Sequence, residues 1–228
     1  MPLKLTDLPP NKFGAPLPGR YLYDVAGAAE PLELSVRDVL GDQDPDHFDR
    51  TGDLAQLHME TEGSEARAGL LQWSARGLHL DAEQRAQSTT SGLNESAVCD
   101  YRPDLALQPG SLDVGATWED TARCTATQGD LTLTRDRKLT GEVLAASSAE
   151  VEGRTVQTLR IKRVTDTTTT SNSTPPLLLT EHREVVVEWI VSLGLAARVE
   201  GTIIYTISGA PKAPRQYTWT LRSTTPTE

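Results

Sequence analysis

Phenylalanine is almost missing from this chain: 228 residues contain two Phe, and Met and Cys are as scarce at two each. Apolar residues make up 37% and aromatic residues 5%, so a core has to be assembled from Leu, Val, Tyr and the four Trp. Also absent is any run of the roughly 18 to 20 apolar residues that spans a bilayer as a helix, so the chain is not expected to be membrane-spanning. Met1 to Gly19, rich in Pro and polar residues, has no apolar signal core. Basic clusters are lacking too. Lys and Arg total 22 against 32 Asp and Glu, a net charge of −10, and the cations are scattered among acids. A phosphate backbone needs clustered cations, so no nucleic-acid partner is expected. The four His residues (His47, His58, His79, His182) show no paired ligand spacing, and no third Cys completes a metal set, which leaves no metal site and no cofactor. No Gly-x-Ser-x-Gly nucleophile elbow occurs, and no residue is assigned a catalytic role.

What fills the chain is period-two alternation, the mark of half-buried strands. Tyr21, Tyr23 and Val25 alternate with Leu22 and Asp24, and Leu32, Leu34 and Val36 with Glu33, Ser35 and Arg37, with Ala26-Gly27-Ala28 as the turn between them. The pattern continues through Ala55, Leu57 and Met59, then Leu71 and Trp73, then Leu131 to Thr134, Gly141 to Ala146 and Thr155 to Val164. Glu152-Gly153 is a hairpin turn signal. Val185, Val187, Trp189 and Val191 form the clearest strand, Leu193-Gly194-Leu195 reverses the chain, and Ala197 to Ile207 and Tyr217 to Leu221 complete a C-terminal meander. Asp81 to Ser88 is the best short helix candidate and Ser35 to Leu40 a poor one. The reading is all-β: residues 1–18 an extended N-terminal segment, and 19–228 a single domain built on one large curved antiparallel sheet, a half-barrel of roughly ten strands in mainly meander order with little helix.

Cys99 and Cys124 sit in strand-like sequence on either side of the Pro103 to Gly115 excursion, which lets their two strands return side by side. They are expected to form a disulfide rather than two buried thiols. A disulfide persists in an oxidising compartment, so the protein is read as extracytoplasmic: secreted, periplasmic or anchored at the cell surface.

Two polar stretches interrupt the strands. Asp166 to Pro176 has no apolar periodicity and reads as an exposed hairpin excursion. Asp42-Gln43-Asp44-Pro45-Asp46-His47-Phe48-Asp49 alternates carboxylates as a calcium loop does, but His47 stands where the loop needs Gly and Asp53 where it needs Glu, so it reads as a solvated acidic loop. Asn94-Glu95-Ser96 and Asn172-Ser173-Thr174 match the glycosylation triplet, which matters only in a eukaryotic secretory pathway. Glu188, mid-strand between Val187 and Trp189, reads as an outward acid opposite Arg160 or Arg183.

Val114-Gly115-Ala116-Thr117-Trp118 opens a series that continues through a hairpin, Val151-Glu152-Gly153-Arg154-Thr155-Val156 leading to Leu159-Arg160-Ile161, and the Trp189 strand ending Leu193-Gly194-Leu195. The order of these features resembles bacterial exported domains of the LolA/LppX lipoprotein-carrier superfamily over about Leu112 to Leu221. The resemblance implies a strongly curved antiparallel sheet whose concave face can hold acyl chains, and no catalytic residue. In those carriers helices close the cavity, whereas this chain has little helix.

The strand aromatics fit this picture. Most serve the core, and Tyr21, Trp73, Trp189, Tyr205 and Trp219 are the candidates to line a concave face. The expected function is a non-enzymatic extracytoplasmic binding or scaffold protein that holds a lipid or other hydrophobic small molecule on that face. The alternatives are an envelope protein-protein interaction module with a filled core, and a hydrolase built on an acid pair.

Overall fold

The computed structural model describes residues 16–28, 31–37, 53–60, 65–74, 77–88, 94–110, 112–128 and 130–227, and for many strand residues between 35 and 98, and for Gln128, it describes the backbone alone. Within them the chain forms β1 (Gly19–Val25), β2 (Leu32–Arg37), β3 (Asp53–Glu60), β4 (Glu65–Ser74), β5 (Gly77–Ser88), β6 (Asn94–Pro109), β7 (Thr117–Gln128), β8 (Leu131–Val151), β9 (Arg154–Ser171), β10 (Leu178–Ile190), β11 (Leu195–Ile207), β12 (Ala210–Pro211) and β13 (Arg215–Leu221). No helix occurs among the described residues. All strands belong to one 13-stranded antiparallel sheet in the order β6-β5-β4-β3-β2-β1-β13-β11-β10-β9-β8-β7, with β12 pairing only β11.

That order is two meanders joined at their centre. β1 to β6 step outward to one edge, the chain then passes to β7 at the opposite edge and steps back to β11, and β13 seats against both β11 and β1. Laid flat at about 4.8 Å per strand, the path from β6 to β7 would cross roughly 50 Å. The connection from Pro109 to Thr117 can reach less than about 30 Å even fully extended. The sheet therefore has to curl until its two edges meet, and the Cα atoms of Cys99 in β6 and Cys124 in β7 lie 5.4 Å apart, joined by a disulfide. It is nevertheless not closed into a barrel: among the described residues no backbone ladder joins β6 to β7. Side chains span the seam instead. The Ala106 N–H donates to the Asp120 carboxylate at 2.6 Å, and the Arg137 guanidinium of β8 lies over the Tyr101 ring of β6, 5.2 Å from its centroid.

The core lines the inside of this curl. Val143, Ile161 and Val187 are adjacent in register across β8, β9 and β10 and fully buried, as is Tyr101. β1 and β2 add Tyr21, Tyr23, Leu32, Leu34 and Val36, and β13 adds Leu221. The alternation read from the sequence is the cause: within each strand every second residue faces inward.

The turns follow their local chemistry. At the β8–β9 hairpin both Glu152 and Gly153 have positive φ, 53° and 69°, the backbone that a two-residue hairpin turn requires. Gly194, with φ 63°, marks the reversal between β10 and β11.

Three expectations are corrected. Asp81 to Ser88 is not helical but the second half of β5, hydrogen-bonded to β4 and β6 on either side; ladders on both flanks override a weak local helical pattern. Asp166 to Ser171 is not loop but the end of β9, and the excursion shrinks to residues 172–177. β-branched Thr suits a pleated strand, with Thr167 and Thr169 facing in and buried while Thr168 and Thr170 face out. Finally, Leu131–Val151 is one continuous strand rather than two.

Because the disulfide pins edges that no ladder joins, removing it should loosen the curl as well as free the unfolded chain. Reduction, or Cys99→Ala with Cys124→Ala, is expected to lower unfolding free energy by roughly 3 to 4 kcal/mol for a loop of this length. Urea denaturation with and without reductant measures it; coincident curves would contradict the role given to the seam.

Candidate ligand-binding face

The inner face changes character along the strand direction. Its apolar floor is the row Val143–Ile161–Val187–Val199–Trp219–Val25, matched strand by strand in register. The next row is Trp118–Gly141–Arg163–Val185–Gly201–Tyr217. Its two glycines are places of close approach. A Cβ on Gly141 would overlap the Trp118 indole, and one on Gly201 the Tyr217 ring, so each aromatic lies flat across the neighbouring strand, leaning toward the middle of the row.

Beyond this row the inner face turns polar. It carries Arg183, then Arg137 and Glu181, then Arg135, interleaved with Thr165, Thr167 and Thr169. The Arg137 and Arg135 Nε–H groups donate to the Thr167 and Thr169 hydroxyls at 3.3 and 3.4 Å. Arg183 bonds the buried Glu181 carboxylate at 2.7 Å. Among the described residues, this chain of net charge −10 thus turns Arg135, Arg137, Arg163 and Arg183 inward.

Burial on this face is uneven. Whereas Val143, Ile161 and Val187 are 0% exposed, Gly201, Ile203, Tyr205, Tyr217 and Trp219 are only half-buried, as are Arg163 and Arg183. The Tyr217 and Trp219 rings stack at 4.9 Å with a 33° tilt. Solvent therefore reaches the inner face where β9, β10, β11 and β13 run side by side, and aromatic rings line the place it reaches.

The five aromatics singled out from the sequence separate on this map. Trp219 and Tyr205, the latter opposite Glu181 in register, lie on the open part. Tyr21 and Trp189 are core, 2% and 4% exposed, and the Tyr21 hydroxyl donates to the Leu17 carbonyl at 3.0 Å. Trp73 lies in β4 opposite Leu78 and Asp53, and its side chain is outside the described set. Arg183, read from the sequence as an alternative outward partner of Glu188, instead faces inward opposite Thr165 and Ile203, and Arg163, Trp118 and Tyr217 were not among the five. The signal for Arg163 was present: it follows Ile161 at the strand period, which places it on the apolar side while Arg160 and Lys162 face out.

The outer face carries ordinary charge ladders. Glu188 stands opposite Arg160, with an ion pair at 3.8 Å, and accepts a hydrogen bond from the Thr158 hydroxyl at 3.1 Å. Beyond Val143 the β8–β9 hairpin curls over this side and roofs a cleft of about 400 Å³ that includes Glu150, Arg160, Glu188, Arg198 and Glu200. Glu200 pairs with Arg198. His182, also outward, bonds Asp166 at 2.6 Å, a contact that holds its imidazole above the ordinary value. The acidic stretch Asp42 to Asp49 lies outside the described residues, and among those described no group of three or more His, Cys, Asp or Glu is placed to hold a metal ion.

Burial shifts the tyrosines of the curl. Desolvation pushes Tyr21 up to about 12 and raises Tyr23 further. Tyr217 is also raised by desolvation, against the opposing charges of Arg183 and Arg163. Each holds its proton more tightly folded than unfolded, so the associated stability is complete below pH about 10, the ordinary tyrosine value, and is lost as pH rises from there through the folded-state values. Absorbance titration at the phenolate band should show these three ionising late and together with unfolding; five tyrosines titrating near 10 in a folded protein would contradict the packing described.

Comparison with protein-family models, with curated proteins and with solved structures finds no match. The resemblance of Leu112 to Leu221 to the LolA/LppX superfamily gains no support from them.

Proposed function

We propose that this is a non-enzymatic binding protein of an extracytoplasmic, oxidising compartment, which holds a hydrophobic ligand such as an acyl chain on the inner face of its curled sheet. One observation carries the reading: Tyr217, Trp219, Tyr205 and Ile203 are half-exposed on the inside of a sheet whose Val143, Ile161 and Val187 are fully buried. Large apolar groups left partly wet in a concavity mark a ligand face, since filling the space would stabilise the fold by roughly 25 cal/mol per Å² of apolar area covered. The Cys99–Cys124 disulfide supports the compartment. Among the described residues no helix is long and apolar enough to cross a membrane.

A second reading rests on a different surface. Leu178 and Ile204 are both well exposed on the outer face, toward the end of β10 and β11 at which Leu179 pairs with Ile207. An apolar patch of this kind fits a protein partner in the cell envelope.

Native mass spectrometry of the purified protein, followed by denaturation and organic extraction, tests the first reading. The expected result is a co-purifying apolar molecule of defined mass or, in an emptied protein, saturable binding of N-phenyl-1-naphthylamine with energy transfer from tryptophan. An empty protein that also fails to bind the probe would contradict it.

A further inference from the structure

The open part of the inner face has a cation at its edge. Among the described residues the Arg163 guanidinium makes no hydrogen bond and no ion pair. The groups acting on it are Tyr217 and Arg183, and the second repels it. Desolvation pushes its proton affinity down to about 10. Glu181 does not relieve it, because that carboxylate is taken by Arg183, and Asp120 is engaged by the Ala106 N–H across the seam.

Arg163 is not alone in lacking an acceptor. Arg183 stands one residue along the ladder, opposite Thr165 and diagonal to Arg163 on the same face, and its Nε–H is buried without a partner. The Trp118 indole N–H, on the Arg163 row and leaning toward it across Gly141, is also buried without a partner. Arg163, the Arg183 Nε–H and the Trp118 N–H thus share one inner face without a protein acceptor. A half-buried guanidinium with no protein acceptor relies on solvent for its hydrogen bonds, and guanidinium groups fit oxyanions two N–H groups at a time.

Resting on the hydrophobic-ligand reading above, we infer that this face binds an anionic amphiphile, its apolar chain against Ile203, Tyr217 and Trp219 and its oxyanion headgroup on Arg163, with Arg183 and the Trp118 N–H as further donors. Charge complementarity selects the ligand: among the described residues Arg163 is a cation on the inner face, beside Tyr217, with no carboxylate paired to it. The shared headgroup chemistry is an oxyanion, either a carboxylate or a phosphate monoester.

Four probes separate the possibilities: dodecanoate, dodecyl phosphate, dodecanol and inorganic phosphate, each titrated by calorimetry into the wild type, Arg163→Met and Arg163→Lys. At least one of the two anionic amphiphiles should bind the wild type tenfold or more tighter than dodecanol, and the tighter of the pair identifies the headgroup. Arg163→Met should bring that ligand down to the affinity of dodecanol while leaving dodecanol itself unchanged, and Arg163→Lys should fall between. The Met variant should melt at or above the wild-type temperature, because an unpaired cation has been removed, so a loss of binding cannot be ascribed to unfolding. An unchanged preference for the anion in Arg163→Met would overturn the inference and leave the hydrophobic-ligand reading standing. Inorganic phosphate binding as tightly as dodecyl phosphate would overturn it in favour of a plain anion site, and failure of every dodecyl probe would remove both readings.

Discussion

Everything in this fold depends on a short connection. The two edges of a twelve-strand path, β6 and β7, are consecutive in the chain and separated by only the few residues from Gly110 to Ala116. A flat sheet is therefore impossible for this topology, and curling is a covalent necessity before it is an energetic preference. The Cys99–Cys124 disulfide, the Asp120–Ala106 hydrogen bond and the Arg137–Tyr101 contact then hold the edges together without a ladder. One face becomes an interior, and its chemistry becomes different in kind from that of the outer face.

The difference is visible along β9. Its outward residues Arg160 and Lys162 pair with Glu188 and Glu184 in solvent, contacts worth at most about 1 kcal/mol each. Its inward residues run Ile161, Arg163, Thr165, Thr167 and Thr169, from closed apolar core through an unpaired cation to a polar layer that hydrogen-bonds Arg137 and Arg135. The glycines at 141 and 201 belong to the same design, since each yields its side-chain space to an aromatic ring from the neighbouring strand. An amphiphile matches this gradient from apolar to cationic; a purely polar or purely apolar ligand matches half of it.

Much of this was legible in the sequence, and the rest was not for physical reasons. Period-two alternation, Glu152-Gly153 and Leu193-Gly194-Leu195 are local signals, and they placed the C-terminal strands and turns. The pairing of Cys99 with Cys124 was readable because both lie in strand-like sequence, but of the expected Pro103 to Gly115 excursion residues 103–109 continue β6, and only residues 110–116 connect the two edges. Asp81 to Ser88 misled because its strand conformation is imposed by ladders on both sides, and the Thr167 to Thr170 run because a polar composition hides a β-branched, alternating strand. The open part of the inner face was least legible. Whether Trp219 stays half-exposed while Trp189 is buried depends on which strands face each other across the curl, and that is decided by the seam rather than by any local pattern.

The most direct test of the central claim, that the curled sheet keeps an accessible inner face for an amphiphile, is an isotope-filtered nuclear Overhauser measurement on labelled protein mixed with unlabelled dodecanoate. The account predicts contacts from the chain protons to Ile203, Tyr217 and Trp219. Contacts confined to Leu178 and Ile204, which face the other way, or to no residue of the inner face, would contradict it.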